Sequence, residues 1–86
     1  MKPIEFPGCN VVFGKNQPEY MPLPAERIEN DDFGQVVTCW ELSEEEREKV
    51  LQDGKIWVSL LTFGHPLQPI LVTAEKPGVY QETENK

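Results

Sequence analysis

Prolines restrict the first third of this 86-residue chain more than any other feature does. Three of the eight prolines fall within residues 17–24. A proline ring fixes its own φ and disfavours the helical region for the residue before it. We therefore expect no helix here, and we expect residues 1–34 to form turns and short extended pieces, with a candidate strand over residues 11–13.

The sequence predicts one helix, over residues 44–53. Ser43 is followed three residues later by Glu46, and this spacing is typical of a capping box, in which each side chain hydrogen-bonds the backbone N–H of the other residue. The acidic first turn faces the positive end of the helix dipole. Gly54 supplies the left-handed residue that ends the helix after Asp53.

Three further segments are predicted as strands because β-branched, aliphatic and aromatic residues dominate them: residues 35–41, 56–63 and 70–73. The second of these is apolar on both faces, so we expect cover on both faces, from the N-terminal segment or from another subunit. Trp57 and Phe63 are accordingly expected in the core.

These elements predict a single small α+β domain, because 86 residues support only one core. We expect a small, mostly antiparallel sheet with one short helix packed on it and an extended, proline-rich N-terminal segment. The domain is expected to cover residues 1–74, with a turn-rich lead over 1–34 and a strand-helix-strand-strand order over 35–74. Residues 75–86 are expected to be a flexible C-terminal tail.

The charge is unevenly distributed. The chain has a formal net charge of −7, and the nine acidic and two basic residues between positions 26 and 48 account for all of it. Such a chain lacks the basic footprint for phosphate backbones or anionic lipids, so direct nucleic-acid and membrane binding are disfavoured. With no apolar leader, no long apolar run and only two cysteines, we expect a cytoplasmic protein.

No pattern in the sequence assembles a catalytic or metal site. Cys9, Cys39 and His65 are the best candidate zinc ligands, but their spacing lacks the close pairs that make zinc sites recognisable. His65 has no evident nucleophile beside it, since Ser43 caps the helix. We therefore predict no enzymatic activity, no metal and no cofactor.

Protein–protein interaction is the favoured function, and self-association into a homodimer is compatible with the apolar central strand. A stiff proline-flanked segment loses little entropy on docking, and aromatic side chains dominate interface energetics. An acidic decoy that occupies a nucleic-acid-binding site on a host or defence protein is the alternative, since a clustered negative field steers association. The candidate interaction residues are Tyr20, Asp31, Asp32, Trp40, Glu44, Glu45 and Glu48.

Several short motifs resemble a family of small uncharacterised proteins of tailed phages and prophages. The motifs are CW-x-L-S at 39–43, ER-x-x-VL at 46–51, G-x-x-W at 54–57 and LTFG-x-PLQP at 61–69, with an opening like that of the family at 6–10 and 17–24. The resemblance covers most of residues 5–71. It implies an accessory protein of a phage or mobile element that acts inside a bacterium, and it implies no particular activity.

Overall fold

The computed structural model describes residues 1–19, 21–29 and 32–78. These residues form two small antiparallel sheets and one helix, so the predicted α+β class is confirmed. The elements in chain order are β1 (Lys2–Ile4), β2 (Val11–Phe13), β3 (Leu23–Arg27), β4 (Val36–Val37), β5 (Cys39–Glu41) and α1 (Glu44–Asp53).

One short segment contributes a strand to each sheet. The sheet order is β2-β3-β4 in the first sheet and β1-β5 in the second, and every pairing is antiparallel. The predicted strand over 35–41 is present but divided, because Thr38 separates β4 from β5. The indole N–H of Trp40 donates to the Thr38 hydroxyl at 2.9 Å across this break. Thr38 is therefore the shortest covalent connection between the two sheets.

The strand predicted over residues 11–13 is confirmed as β2. Its partner β3 contains Pro24, which has no N–H to donate. β4 pairs with β3 only at Glu26 and Arg27, so Pro24 lies where β3 has a neighbouring strand on one side. This placement matches the confinement of strand prolines to positions that need no donor.

The side-chain amide of Asn10 extends the pairing of β3 past the first residue of β2. The Asn10 Oδ1 accepts from the Arg27 N–H at 2.8 Å, and the Asn10 Nδ2 donates to the Arg27 carbonyl at 3.0 Å. The backbone N–H of Asn10 also donates to the Ala25 carbonyl at 2.9 Å. The Arg27 guanidinium in turn lies 5.1 Å from the ring centroid of Phe13, within cation–π distance. Asn10 thus satisfies backbone groups that a longer β2 would otherwise satisfy.

The helix has the predicted bounds because both of its ends are determined locally. The Ser43 hydroxyl accepts from the Glu46 N–H at 3.2 Å, and the Glu46 carboxylate accepts from the Ser43 N–H at 2.9 Å. Gly54 is left-handed at φ 64°, and its N–H donates to the Val50 carbonyl at 2.7 Å. α1 buries none of its residues; its first turn contacts the start of the chain through an ion pair between the Met1 ammonium and the Glu46 carboxylate.

The strands predicted over 56–63 and 70–73 are wrong. Among the described residues, the structure has no strand after Glu41. A strand requires a hydrogen-bonded neighbour, and both sheets are completed by residues 2–41, so these segments reach neither. High β-propensity here reflects suitability for a half-buried pleated surface that the described chain does not supply.

Lys76 ties the end of the described chain to the N-terminal half. Its Nζ lies 3.0 Å from the Glu26 carboxylate, donates to the Pro7 carbonyl at 3.2 Å and lies 5.5 Å from the ring centroid of Phe6. Gly8 permits this approach, because a Cβ there would lie 2.7 Å from the Glu26 Oε1. Residues 75–78 are the described part of the tail predicted over 75–86, and the rest lies outside the described residues.

The core is very small. Ala25 on β3 and Val37 on β4 are the buried apolar residues in the described part of the chain. Trp57 and Phe63 were expected in the core, and this expectation is wrong, since they are 90% and 81% exposed. Residues 56–63, which were predicted to pack in the core, therefore lie outside it.

We predict that Asn10→Ala lowers the free energy of unfolding by about 1 kcal/mol, because two side-chain hydrogen bonds to Arg27 are lost at an exposed site. Asn16→Ala is the matched control, since Asn16 is exposed and lies in the turn after β2; it is expected to change stability by less than about 0.5 kcal/mol. Urea unfolding of both variants measures the difference. Equal effects would contradict the role assigned to Asn10.

Candidate interaction surface

Residues 56–72 form an open hairpin around one tight turn. The His65 N–H donates to the Thr62 carbonyl at 3.0 Å, and the two residues between them have positive φ, 54° at Phe63 and 84° at Gly64. Positive φ at both central positions defines a type I′ turn, the turn that matches the twist of a two-stranded hairpin. We refer to residues 56–72 as the open hairpin, with arms over 56–62 and 65–72.

The two arms face one another across a cleft of about 300 Å³. Alternate residues of the first arm line it, as expected for an extended chain. Leu67 and Ile70 line it from the second arm. The turn is that of a hairpin, yet within the described residues 55–78 the His65–Thr62 bond is the one backbone–backbone hydrogen bond formed. The lining residues are Val58, Leu60, Thr62, Leu67 and Ile70.

Proline limits how far the two arms could pair. In the register that the turn sets, Leu60 would oppose Leu67 and Val58 would oppose Pro69, both as hydrogen-bonded pairs. Pro69 cannot donate to the Val58 carbonyl, so the ladder fails at its third rung. Pro66 has no N–H on the outer edge of the same arm. The first arm contains no proline and keeps every N–H.

The open hairpin carries most of the exposed large apolar side chains of the described chain. Ten of them are between 45% and 90% exposed, with Trp57, Leu61 and Phe63 at 80% or more. The left-handed backbone of Phe63 is itself unfavourable for a residue with a Cβ, by roughly 1–2 kcal/mol. The ten residues are Ile56, Trp57, Val58, Leu60, Leu61, Phe63, Leu67, Ile70, Leu71 and Val72.

The interaction residues predicted from sequence lie elsewhere. Tyr20 and Asp31 fall outside the described residues. Trp40 is on β5 and is 46% exposed, with its indole N–H bound to Thr38. Asp32 is exposed in a turn. The remaining three, Glu44, Glu45 and Glu48, are exposed on α1.

Electrostatics at the start of α1 centre on Glu46. The Met1 ammonium and then the Ser43 backbone N–H lower the pKa of this carboxyl, because both stabilise its charged form. Glu46 therefore serves the helix cap, whereas Glu44, Glu45 and Glu48 make no ion pair among the described residues. These three are the acids of α1 that remain available to a partner.

The candidate zinc ligands do not form a site in the described structure. Cys9 and Cys39 are half-buried free thiols. No three Cys, His, Asp or Glu side chains in the described ranges are grouped as metal ligands would be. The described chain also has no helix with the length and apolar character needed to cross a bilayer.

Comparison with models of protein families, with curated proteins and with solved structures finds no match to this chain.

The open hairpin was not predicted from sequence as an interaction surface, although two sequence signals point to it. Residues 56–74 contain no Asp, Glu, Lys or Arg, in a chain in which 27% of residues are charged. Pro69 also lies seven residues after Thr62, at a hydrogen-bonded rung of the hairpin that the turn would otherwise close. An apolar run with a proline at that rung is a poor internal strand pair.

We predict that acidification weakens the start of α1. Because the pKa of Glu46 is lowered in the folded state, its contribution to stability is full above its unfolded pKa of roughly 4.3 and is lost as the pH falls through the lower folded value. Glu46→Gln keeps a capping side chain and removes this contribution to the pH dependence. Urea midpoints followed by helical circular dichroism at several pH values measure it.

Glu48→Gln is the matched control for this titration, since Glu48 is an exposed acid of the same helix outside the cap. It should retain the wild-type loss of stability below about pH 4. The same pH dependence in wild type and Glu46→Gln would contradict the assignment.

Proposed function

We propose that this chain is a non-enzymatic interaction protein that binds a protein partner through the open hairpin. One observation carries the proposal: ten large apolar side chains between residues 56 and 72 are exposed together on a segment without a charged residue. Contiguous apolar patches beyond a few hundred Å² are uncommon on monomers and mark interaction sites.

The anchors of the proposed contact are Trp57, Leu61 and Phe63. Each is at least 80% exposed, so each has most of its side-chain area left to bury. Aromatic side chains are over-represented among the residues that carry interface energy. The left-handed backbone of Phe63 is held with the ring in solvent, and contact of that ring with a partner would offset the strain.

The setting of this interaction is also part of the proposal. The two cysteines are free thiols, which fits a reducing compartment, and we place the protein in the cytoplasm. The motif resemblance supports a phage or mobile-element accessory protein, in which case the compartment is the cytoplasm of the host bacterium.

We predict that a photo-reactive phenylalanine analogue at position 57 forms a cross-linked adduct in cells. The same analogue at position 51 is the control, because Leu51 on α1 is 86% exposed and Trp57 is 90% exposed. The two positions are thus similarly exposed, but one lies on α1 and the other on the open hairpin. Gel mobility after irradiation measures the adduct, which we expect at position 57 and not at position 51.

Equal adduct yields at the two positions, or no adduct at position 57, would argue against the open hairpin as a binding surface. The mass of the adduct also identifies the class of partner, because one chain contributes 9.9 kDa. A cross-link to a protein other than a second copy of this chain also supports the proposed function.

The acidic decoy is a second candidate, supported by the three exposed glutamates of α1 that make no ion pair in the described structure. They lie within five residues of one helix and present a local negative field. Such a field attracts the basic surfaces that bind nucleic acids.

If the decoy operates, replacing Glu44, Glu45 and Glu48 together by Gln abolishes capture of nucleic-acid-binding proteins from a host lysate at low salt. The matched control replaces exposed Glu5, Glu19 and Glu29 by Gln, which changes the net charge by the same amount outside the helix. Helical circular dichroism verifies folding of both variants. Capture that survives the α1 substitutions would eliminate the decoy.

A further inference from the structure

We infer that the partner of the open hairpin is a second copy of this chain, with the two copies related by a two-fold axis. The inference rests on the proposed function and names the occupant of the same surface. Four observations favour a second copy: the size of the core, the exposed apolar area, the distribution of charge, and the unpaired backbone donors of the first arm.

The isolated chain buries very few apolar residues for a folded domain. Ala25 and Val37 are the buried apolar residues of the described chain, and the two cysteines form no disulfide. Small domains that cannot build a sufficient apolar core are stabilised by disulfides, by metals or by oligomerisation. A second copy is present wherever the chain is made, so it can supply the missing core without another gene product.

The exposed area matches what a stable dimer needs. Ten side chains at 45–90% exposure present on the order of 1,000 Å² of apolar surface, since one aromatic side chain alone contributes roughly 150–250 Å². A standard interface buries about 800 Å² on each partner. The total exposed apolar area of the open hairpin therefore exceeds what one copy contributes to a standard interface.

Charge favours contact between copies at this segment over contact through residues 26–48. Each copy carries a net charge of −7, concentrated between residues 26 and 48. Two such regions repel, and burying them against each other would strengthen the repulsion. Residues 56–74 contain no Asp, Glu, Lys or Arg, so two copies can approach there without like charges in contact.

The backbone of the first arm is suited to pairing with itself. Residues 56–62 have an N–H at every position and form no backbone–backbone hydrogen bond in the described structure apart from the Thr62 carbonyl in the turn. The arm thus presents unpaired backbone N–H and carbonyl groups, which are a template for pairing with another strand. A strand that meets its own copy across a two-fold axis runs antiparallel to it, and identical neutral strands are self-complementary.

Sedimentation of the purified full-length protein over a wide concentration range tests the inference. We expect a species of twice 9.9 kDa that dissociates on dilution. Added salt is expected to leave the association unchanged or to tighten it, because salt screens the repulsion between two acidic copies. A mass that stays at one chain, or one that grows without limit, overturns the two-fold dimer.

Matched variants locate the interface. Leu61→Glu is expected to weaken the dimer at least tenfold, because it places like charges opposite one another in the contact. Leu51→Glu makes the same change on α1 at similar exposure, 86% against 80%, and is expected to leave the association unchanged. Equal weakening by the two variants, or none by Leu61→Glu, overturns the assignment to the open hairpin.

Phe63→Asn separates binding from folding. It creates an Asn-Gly pair at the centre of the turn, the pair that type I′ turns prefer, so the hairpin turn is retained or strengthened. Loss of the ring is nevertheless expected to weaken the dimer at least tenfold. A variant that still dimerises as tightly as wild type removes Phe63 from the interface and contradicts the proposed contact.

The in-cell cross-link distinguishes this inference from the function on which it rests. A purified protein that stays monomeric, together with an adduct from position 57 to another protein, overturns the second copy and keeps the proposed function. A monomeric protein without any adduct at position 57 overturns both.

Discussion

The fold depends on the division of residues 36–41 into two strands, β4 and β5, at Thr38. Residues 36–41 are continuous in sequence, but β4 pairs with β3 and β5 pairs with β1, so this segment joins the two sheets. Thr38 makes the division, and its hydroxyl is held by the Trp40 indole. Because both pairings draw on the first 41 residues, the sheets close without the apolar residues that follow the helix. The apolar residues of the open hairpin are therefore left outside both sheets.

The open hairpin is flanked by fixed points of the chain at both ends. Gly54 ends the helix immediately before it, and Lys76 anchors the chain after it to Glu26 and Pro7. Between these points a hairpin turn brings the arms together, and Pro69 prevents them from completing a ladder. The result is an apolar segment that is shaped for strand pairing and lacks an internal partner. This combination of a hairpin turn and missing cover is the physical basis for proposing that the segment forms an interface.

Some acidic residues between positions 26 and 48 contribute to the fold, and others remain available to a partner. Glu46 is part of the capping box, and Glu26 is paired with Lys76, so both contribute to the fold. Glu44, Glu45 and Glu48 remain exposed, and they were predicted from sequence as interaction residues. The apolar anchors of the proposed contact were instead assigned to the core. Their residue types do not separate these two roles, because core and interface select the same aromatic and aliphatic side chains.

The sequence by itself determined the features whose partners are close in the chain. The bounds of α1 follow from Ser43, Glu46 and Gly54, whose hydrogen bonds span three or four residues. The tertiary structure alone decided which strands pair, since β5 pairs with residues 2–4 and β3 with residues 11–13. Residues 56–63 have strand-forming side chains but no strand paired with them by a hydrogen-bond ladder within the described chain. A helix satisfies its backbone within one segment, whereas a strand depends on a second segment that local sequence does not specify.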